Sequence, residues 1–216
     1  HSGVNEKLYR TAHTWVGHIR GGIAMATVLA CAAFSAICGS NAATAATMTT
    51  VALPEMNKYS YQPILSTSSI AAGSTLGVVI PPSVVLIVIG LYTDQPIAKL
   101  FYGGISAGVL LAVCLALTVY FLCLAKPQWG PLGEKATWGQ RLRSLPGAFE
   151  MVVLFLLVMV GLYIGVFTPA EAGAVGSFFA VVLSAAQGRL TLRGLVNSIM
   201  ETLRISCMVI VIVAGA

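Results

Sequence analysis

Ala36-Ile37-Cys38-Gly39-Ser40-Asn41-Ala42-Ala43-Thr44-Ala45-Ala46-Thr47-Met48 lies inside an apolar run from Gly21 to Leu53 that contains no charged residue. A buried helix gains nothing from Gly39, Ser40 and Asn41 in succession at its centre. Glycine adds backbone entropy, and serine and asparagine compete for backbone hydrogen bonds. In lipid, an interrupted helix exposes N–H and C=O groups that no water can satisfy, so the interruption must face protein or a polar cavity. The stretch therefore predicts a re-entrant hairpin over residues 21–53. One helix enters, turns at Gly39-Ser40-Asn41, and a second returns with Ser40 or Asn41 as its cap and its amide end aimed at the tip.

Composition agrees with a chain that lives in a bilayer. Of 216 residues, 57% are hydrophobic and 9% charged, and the mean hydropathy is +0.90; soluble domains carry about 25% charged residues. The predicted class is an all-α, polytopic membrane protein. Its net charge of +5 flanks apolar spans, which points to membrane orientation and not to nucleic acid. Cys31, Cys38, Cys114, Cys123 and Cys207 all lie in apolar segments without metal-site spacing and read as small packing residues. The chain begins at His1 without a methionine and ends at Ala216 within an apolar run, and it reads as a fragment with no signal peptide at its start.

Outward from the hairpin, residues 1–20 form an interfacial amphipathic segment, with Val4, Leu8, Ala12, Trp15 and Ile19 at helical spacing. His13 and His18 are five apart, off a common helical face, and read as interface residues, with no metal role. Pro54-Glu55-Met56-Asn57-Lys58 is expected to end the hairpin. Residues 63–92 form a second interrupted span. Ala71-Ala72-Gly73-Ser74-Thr75-Leu76-Gly77 is followed by Ile80-Pro81-Pro82-Ser83, and consecutive prolines remove two backbone donors. This is a discontinuous transmembrane helix with carbonyls free to coordinate a ligand.

Residues 97–124 form an unbroken span with a Gly104-x-x-x-Gly108 packing step. Residues 125–146 read as a polar cytoplasmic loop, and residues 147–187 as two further membrane helices. The second of these starts at Thr168-Pro169-Ala170-Glu171, a capping-box pattern. Residues 188–204 form an amphipathic helix, and residues 205–216 open another span.

Basic residues decide how the hairpin lies. If residues 21–53 re-enter, the segments 1–20, 54–62, 125–146 and 188–204 share one side and hold 11 Lys and Arg, against Lys99 alone on the other. A single crossing would divide the same twelve as 4 and 8. The first arrangement obeys the positive-inside rule. Two full crossings give the same parity, but each arm is shorter than the roughly 20 residues a span requires. The hairpin mouth is thus expected on the cytoplasmic side.

Gly21-Gly22-Ile23-Ala24 through Cys38-Gly39-Ser40-Asn41-Ala42-Ala43-Thr44-Ala45-Ala46 and Leu53-Pro54-Glu55-Met56 resemble the large membrane subunit of the tripartite ATP-independent periplasmic (TRAP) transporters, the DctM-like permeases. Ala71–Gly77 with Ile80-Pro81-Pro82-Ser83, Lys99-Leu100-Phe101 and Phe167-Thr168-Pro169-Ala170-Glu171-Ala172 look like further signatures, in the family's order. Asn41 stands where a second serine is common, and Tyr102-Gly103-Gly104 where Ile-Ala-Gly is commoner. The resemblance implies a secondary transporter of the elevator type in a bacterial or archaeal inner membrane. It implies sodium as coupling ion, no other cofactor, and a C4-dicarboxylate or other organic acid as substrate. The implied partners are a periplasmic substrate-binding protein and a small membrane subunit. It further implies two inverted repeats, of which this chain holds the first hairpin and broken helix.

The residues support such chemistry by themselves. Breaks rich in Gly, Ser, Thr and Pro offer the oxygen ligands sodium prefers, and helix N-termini at the breaks favour a carboxylate. The candidate sodium residues are Ser40, Asn41, Gly73, Thr75 and Gly77; the candidate substrate contacts are Ser40, Asn41, Ala42, Thr44, Pro81 and Pro82. No ionisable side chain lies in 21–53 or 63–90, which argues against a proton relay, and no P-loop occurs. The reading is a carrier and not an enzyme. The alternatives are a related carboxylate carrier working without a binding protein, an ion channel, or a structural subunit. The channel needs a continuous polar stripe that 97–124 and 151–166 lack; the structural subunit gives two breaks in lipid no purpose.

Overall fold

The computed structural model describes residues 4–132, 137–186, 188 and 190–215. His1, Lys135, Gln187 and Arg189, which enter the segments and the charge count above, lie outside the described residues. Within them the fold is all helical: α1 Val4–Val16, α2 Gly22–Cys38, α3 Asn41–Lys58, α4 Pro63–Ser74, α5 Leu76–Val79, α6 Val84–Tyr92, α7 Ile97–Ala125, α8 Trp138–Tyr163, α9 Pro169–Ala186 and α10 Leu192–Gly215. The stretch Pro63–Tyr92 and α7 are each long and apolar enough to cross a bilayer. The protein is a helical membrane protein. Contacts divide the described residues into two bodies, one ending at Gly176 and the other running from Ser177 onward.

In the larger body α2 and α3 form a helical hairpin. Gly39 ends α2 in the left-handed region, with φ of 60°, and its amide donates to the Ser35 carbonyl at 2.9 Å. Ser40, in extended conformation, starts α3, and its hydroxyl accepts from the Ala43 amide at 3.4 Å. At 1.5 Å per residue, arms of 17 and 18 residues are roughly 26 Å long, short of a hydrocarbon core of about 30 Å.

The second arm does not stop at Pro54, as the sequence suggests, but runs on to Lys58. Thr44, Met48, Ala52 and Met56 form a buried stripe at every fourth position that continues past the proline. Burying Met56 completely, worth about 1.5–3 kcal/mol, offsets much of a kink or lost bond costing about 3 kcal/mol.

The hairpin's open end is joined to the segment that follows α7. The Gly21 amide donates to the Gly130 carbonyl (3.2 Å) and the Gln62 amide to the Trp129 carbonyl (3.2 Å). Tyr61, almost completely buried, accepts from the Ile23 amide and donates to the Pro131 carbonyl, both at 3.2 Å. Burial raises its phenol to about 12, partly countered by the Ile23 amide. Residues 17–22, 59–62 and 126–132 therefore share one end of the body.

One apolar core joins Ile23, Val28 and Cys31 of α2, Met48 and Met56 of α3, Leu65 and Ile70 of α4, Leu76 of α5, and Val119 and Cys123 of α7. A second gathers Phe101 of α7, Val158, Met159 and Leu162 of α8, and Ala172 of α9.

Two further boundaries differ from the sequence reading. Residues 138–146, expected in a loop, are the first turns of α8. A Thr137/Gln140 capping box starts it, with Gln140 Oε1 accepting from the Thr137 amide at 2.9 Å. The Thr168/Glu171 box starts α9 in the same way, its side-chain and backbone bonds spanning 2.8–3.3 Å. In the smaller body, residues 192–204 of the amphipathic stretch and the apolar residues after them belong to one helix, α10. Thr191 caps it, and the Ser198 and Thr202 hydroxyls fold back onto carbonyls four residues earlier, so nothing breaks it.

Candidate functional site

The second interruption follows from the prolines. In a continuous helix the carbonyls of Gly77 and Val78 would accept from the amides of residues 81 and 82, which are prolines and have none. Ser83 repairs one of the two. Its buried hydroxyl reaches back to donate to the Val78 carbonyl at 2.7 Å. The Ile80 amide goes to Leu76 at 2.8 Å, which leaves the Gly77 carbonyl without a helical donor. Between Val79 and Val84 the chain is non-helical and passes through a cis Pro81–Pro82 bond.

The hairpin tip meets this gap. A Cβ placed on Gly77 would stand 3.0 Å from Asn41 Oδ1 and 3.1 Å from the Ser40 carbonyl carbon. One on Gly39 would stand 2.5 Å from the Pro82 carbonyl oxygen. At Gly39 only glycine allows the approach and takes the positive φ without strain; at Gly77 an added Cβ would require the tip to give by a few tenths of an ångström. On the far side, α7 presents Gly104 and Gly108, where an added Cβ would lie 2.6 Å from the Val79 carbonyl oxygen and 2.5 Å from Ile80 Cγ1. The broken segment is thus held between the hairpin tip and the Gly104-x-x-x-Gly108 step.

The polar groups at the tip are unevenly satisfied. Thr44 Oγ1 donates to the Ser40 carbonyl at 2.8 Å and lies 3.4 Å from Ser35 Oγ, both side chains fully buried. Asn41 Oδ1 is buried with no hydrogen-bond partner among the described residues. An unpaired buried carbonyl of this kind costs about 1–3 kcal/mol. It sits against Gly77, beside the first amides of α3 that no helical carbonyl can take up.

Among the sequence candidates, Ser40, Asn41 and Gly77 come together, with Pro82 against Gly39. Thr44 braces the tip from inside. Pro81 is fully buried, and Ala42 is exposed next to the cap. Gly73 lies one turn away against Cys31 Sγ and the Val28 backbone of α2. The exposed Thr75 hydroxyl donates to the Ala72 carbonyl at 2.6 Å. Two residues went unnoticed in the sequence: Ser35, paired with Thr44 across the hairpin, and Ser83. A hydroxyl directly after two prolines was the signal for Ser83, since the carbonyls those prolines orphan need a donor.

The model of the DctM component of the tripartite ATP-independent periplasmic transporters matches residues 1–216. The chain belongs to the DctM family. Among its relatives, the C4-dicarboxylate TRAP transporter large permease protein of Pseudomonas aeruginosa is 31% identical over 225 residues, covering 99% of this chain and 50% of that protein. A putative TRAP transporter large permease protein of Haemophilus influenzae is 33% identical over 216 residues, covering 100% of this chain and 53% of that protein. The sialic acid TRAP transporter large permease protein of Vibrio cholerae is 30% identical over 215 residues, with 99% and 50% covered. The chain spans about half the length of the curated DctM relatives it matches. These relatives are permeases of transporters, not enzymes.

Proposed function

We propose that, in the whole protein, this chain forms one half of the translocation site of a sodium-coupled TRAP permease that imports an organic acid. The observation that supports it most is the unpaired Asn41 Oδ1 against Gly77, whose carbonyl Pro81 deprives of its donor. Two carbonyl-type oxygens left without protons, next to the Ser40 hydroxyl and the Thr75 and Gly73 backbone a turn away, suit a cation that takes oxygen ligands. Sodium meets that description and needs no ionisable side chain in the site. The amides at the start of α3, with the Ser40 and Thr44 hydroxyls, suit the substrate's carboxylate, a negative group at a helix N-terminus. Ala42, Pro81 and Pro82 would line the non-polar part of that contact.

Relatives named for C4-dicarboxylate and for sialic acid support an organic acid as substrate without fixing which. A periplasmic binding protein would deliver it, a small membrane subunit would complete the complex, and the inner membrane would be its place. The hairpin and the broken helix would move together as the carrier, in the elevator manner.

The test is uptake of a labelled C4-dicarboxylate or sialic acid into proteoliposomes that hold the full-length protein, the small subunit and the binding protein. An inward sodium gradient should drive accumulation, and an equal potassium gradient should not. Accumulation that ignores sodium would overturn the coupling.

A further inference from the structure

The end of the larger body that carries the basic segments holds an arrangement that the transport site does not use. There α1 lies along the first turns of α8, and Thr11 Oγ1 donates to the Ser144 carbonyl at 2.8 Å. Arg141 of α8 sits between two tryptophans. Its guanidinium carbon is 6.0 Å from the Trp15 ring and 5.2 Å from the Trp138 ring. Its Nη2 lies 3.4 Å from His18 Nδ1, which must be the acceptor because a guanidinium only donates. Its Nε is buried and has no acceptor among the described residues. Among the described residues no carboxylate pairs with it; Glu55 pairs with Lys58, on α3.

The depth of the cluster is set by its neighbours. His18 stands one turn before Gly22, where the charge-free α2 begins. The Gly21 amide bonds the Gly130 carbonyl in the segment after α7, where the Lys126 ammonium lies over the Trp129 ring at 4.3 Å. Arginine, lysine and tryptophan therefore converge at the level where the apolar helices stop. That is the headgroup level of a bilayer, where tryptophan rings and basic side chains are favoured. An arginine fork matches a phosphate, and aromatic walls shield the pair from water.

We propose that Arg141, walled by Trp15 and Trp138 and backed by His18, binds the phosphodiester of an anionic phospholipid in the adjoining leaflet. Charge complementarity selects that occupant. Among the described residues no carboxylate neutralises the guanidinium. A zwitterionic lipid brings a cation of its own next to the phosphate, which Arg141 repels. A headgroup without an amine, such as phosphatidylglycerol, does not.

Lipid retained by the full-length protein after release from mixed phosphatidylglycerol/phosphatidylcholine nanodiscs, counted by native mass spectrometry, tests the site. The native protein should retain phosphatidylglycerol above its share of the bilayer. Arg141→Gln should lower that enrichment about fivefold, the effect of about one interfacial basic contact, while Lys126→Gln should leave it within about twofold. Equal loss in both variants would mean diffuse surface charge and would overturn the site, as would no loss in Arg141→Gln. Thermal protection by inorganic phosphate in pure phosphatidylcholine discs, matching that by phosphatidylglycerol, would make it a soluble-anion site and overturn the lipid assignment. If Arg141→Gln does not fold, Trp138→Leu decides, because that ring is 71% exposed and its loss leaves the fold. Enrichment should then fall at least about twofold, and unchanged enrichment would contradict the proposal.

Discussion

The stretch Pro63–Tyr92 and its neighbour α7 are nearly equal in length, 30 and 29 residues, and both are strongly apolar. They run side by side, yet one is continuous and the other is opened near its middle. In α7 the polar side chains fold back onto their own helix: Ser106 Oγ donates to the Gly103 carbonyl (2.9 Å) and Thr118 Oγ1 to the Cys114 carbonyl (2.7 Å). In the broken stretch a hydroxyl from beyond the gap, Ser83, has to serve a carbonyl that a proline has orphaned, and among the described residues no amide from outside the helix is bonded to the Gly77 carbonyl. Length and apolarity make a span; the placement of missing donors makes a site. The hairpin brings its own unpaired oxygen, Asn41 Oδ1, to the same place.

Glycine substitutions should separate the two elements most. Gly39→Ala must hold a positive φ and push a Cβ to 2.5 Å from the Pro82 carbonyl oxygen. It should lower stability by about 2–5 kcal/mol, read as the thermal unfolding midpoint in detergent. Gly103→Ala in α7 meets nothing within 4 Å and should be neutral or stabilising by up to about 1 kcal/mol. Similar losses at both positions would mean that the tip is not seated on the broken segment.

Serine truncations come next. Ser83→Ala should cost about 1–3 kcal/mol, because the Val78 carbonyl loses its donor inside the protein. Ser106→Ala, at an exposed position on α7, should stay within about 0.5 kcal/mol. Denaturation of both variants beside the native protein, under identical detergent, checks the pair. A Ser83 variant as stable as Ser106→Ala would mean that the carbonyl finds another donor and that the gap is not strained for partners.

The smallest effect is expected at Thr75. Its hydroxyl is exposed and donates to the Ala72 carbonyl, so it is not a buried oxygen in need of a partner. Thr75→Val should leave the sodium half-saturation of uptake within about twofold, with stability changed by less than about 0.5 kcal/mol. A larger shift would bring the Thr75 side chain into the site and place the cation nearer α4 than α5.

The positions of both breaks were legible because they rest on local chemistry. Gly39-Ser40-Asn41 and Pro81-Pro82 are poor helix material in any surroundings, and the fold class follows from apolar runs interrupted there. What depends on tertiary packing was not legible. Pro54 looks like a stop, yet Met56 buries fully beyond it. Thr137 and Gln140 start α8 inside what composition presents as a loop. Tyr61 is an ordinary aromatic in sequence, and only the fold puts it between the start of α2 and the Pro131 carbonyl. In the broken helix, the residue types pointed to Gly73 and Thr75 as readily as to Gly77, and only the fold puts Gly77 against Asn41 and Gly73 against Cys31.

The most direct test of a cation site at this junction is the sodium half-saturation of uptake by full-length Asn41→Leu, compared with Ser106→Ala at equal amounts of folded protein. Leucine keeps the branched, four-heavy-atom outline of asparagine, with bulkier methyl ends, and removes the buried Oδ1 that has no partner among the described residues. The account predicts a half-saturation raised about tenfold or more in Asn41→Leu, the loss of one oxygen contact of about 1.4 kcal/mol, with an unfolding midpoint no lower than native because an unpaired polar atom is gone. Ser106→Ala should match the native protein in both. An Asn41→Leu variant with native sodium dependence would contradict the account, and the junction of hairpin tip and broken helix would then be packing.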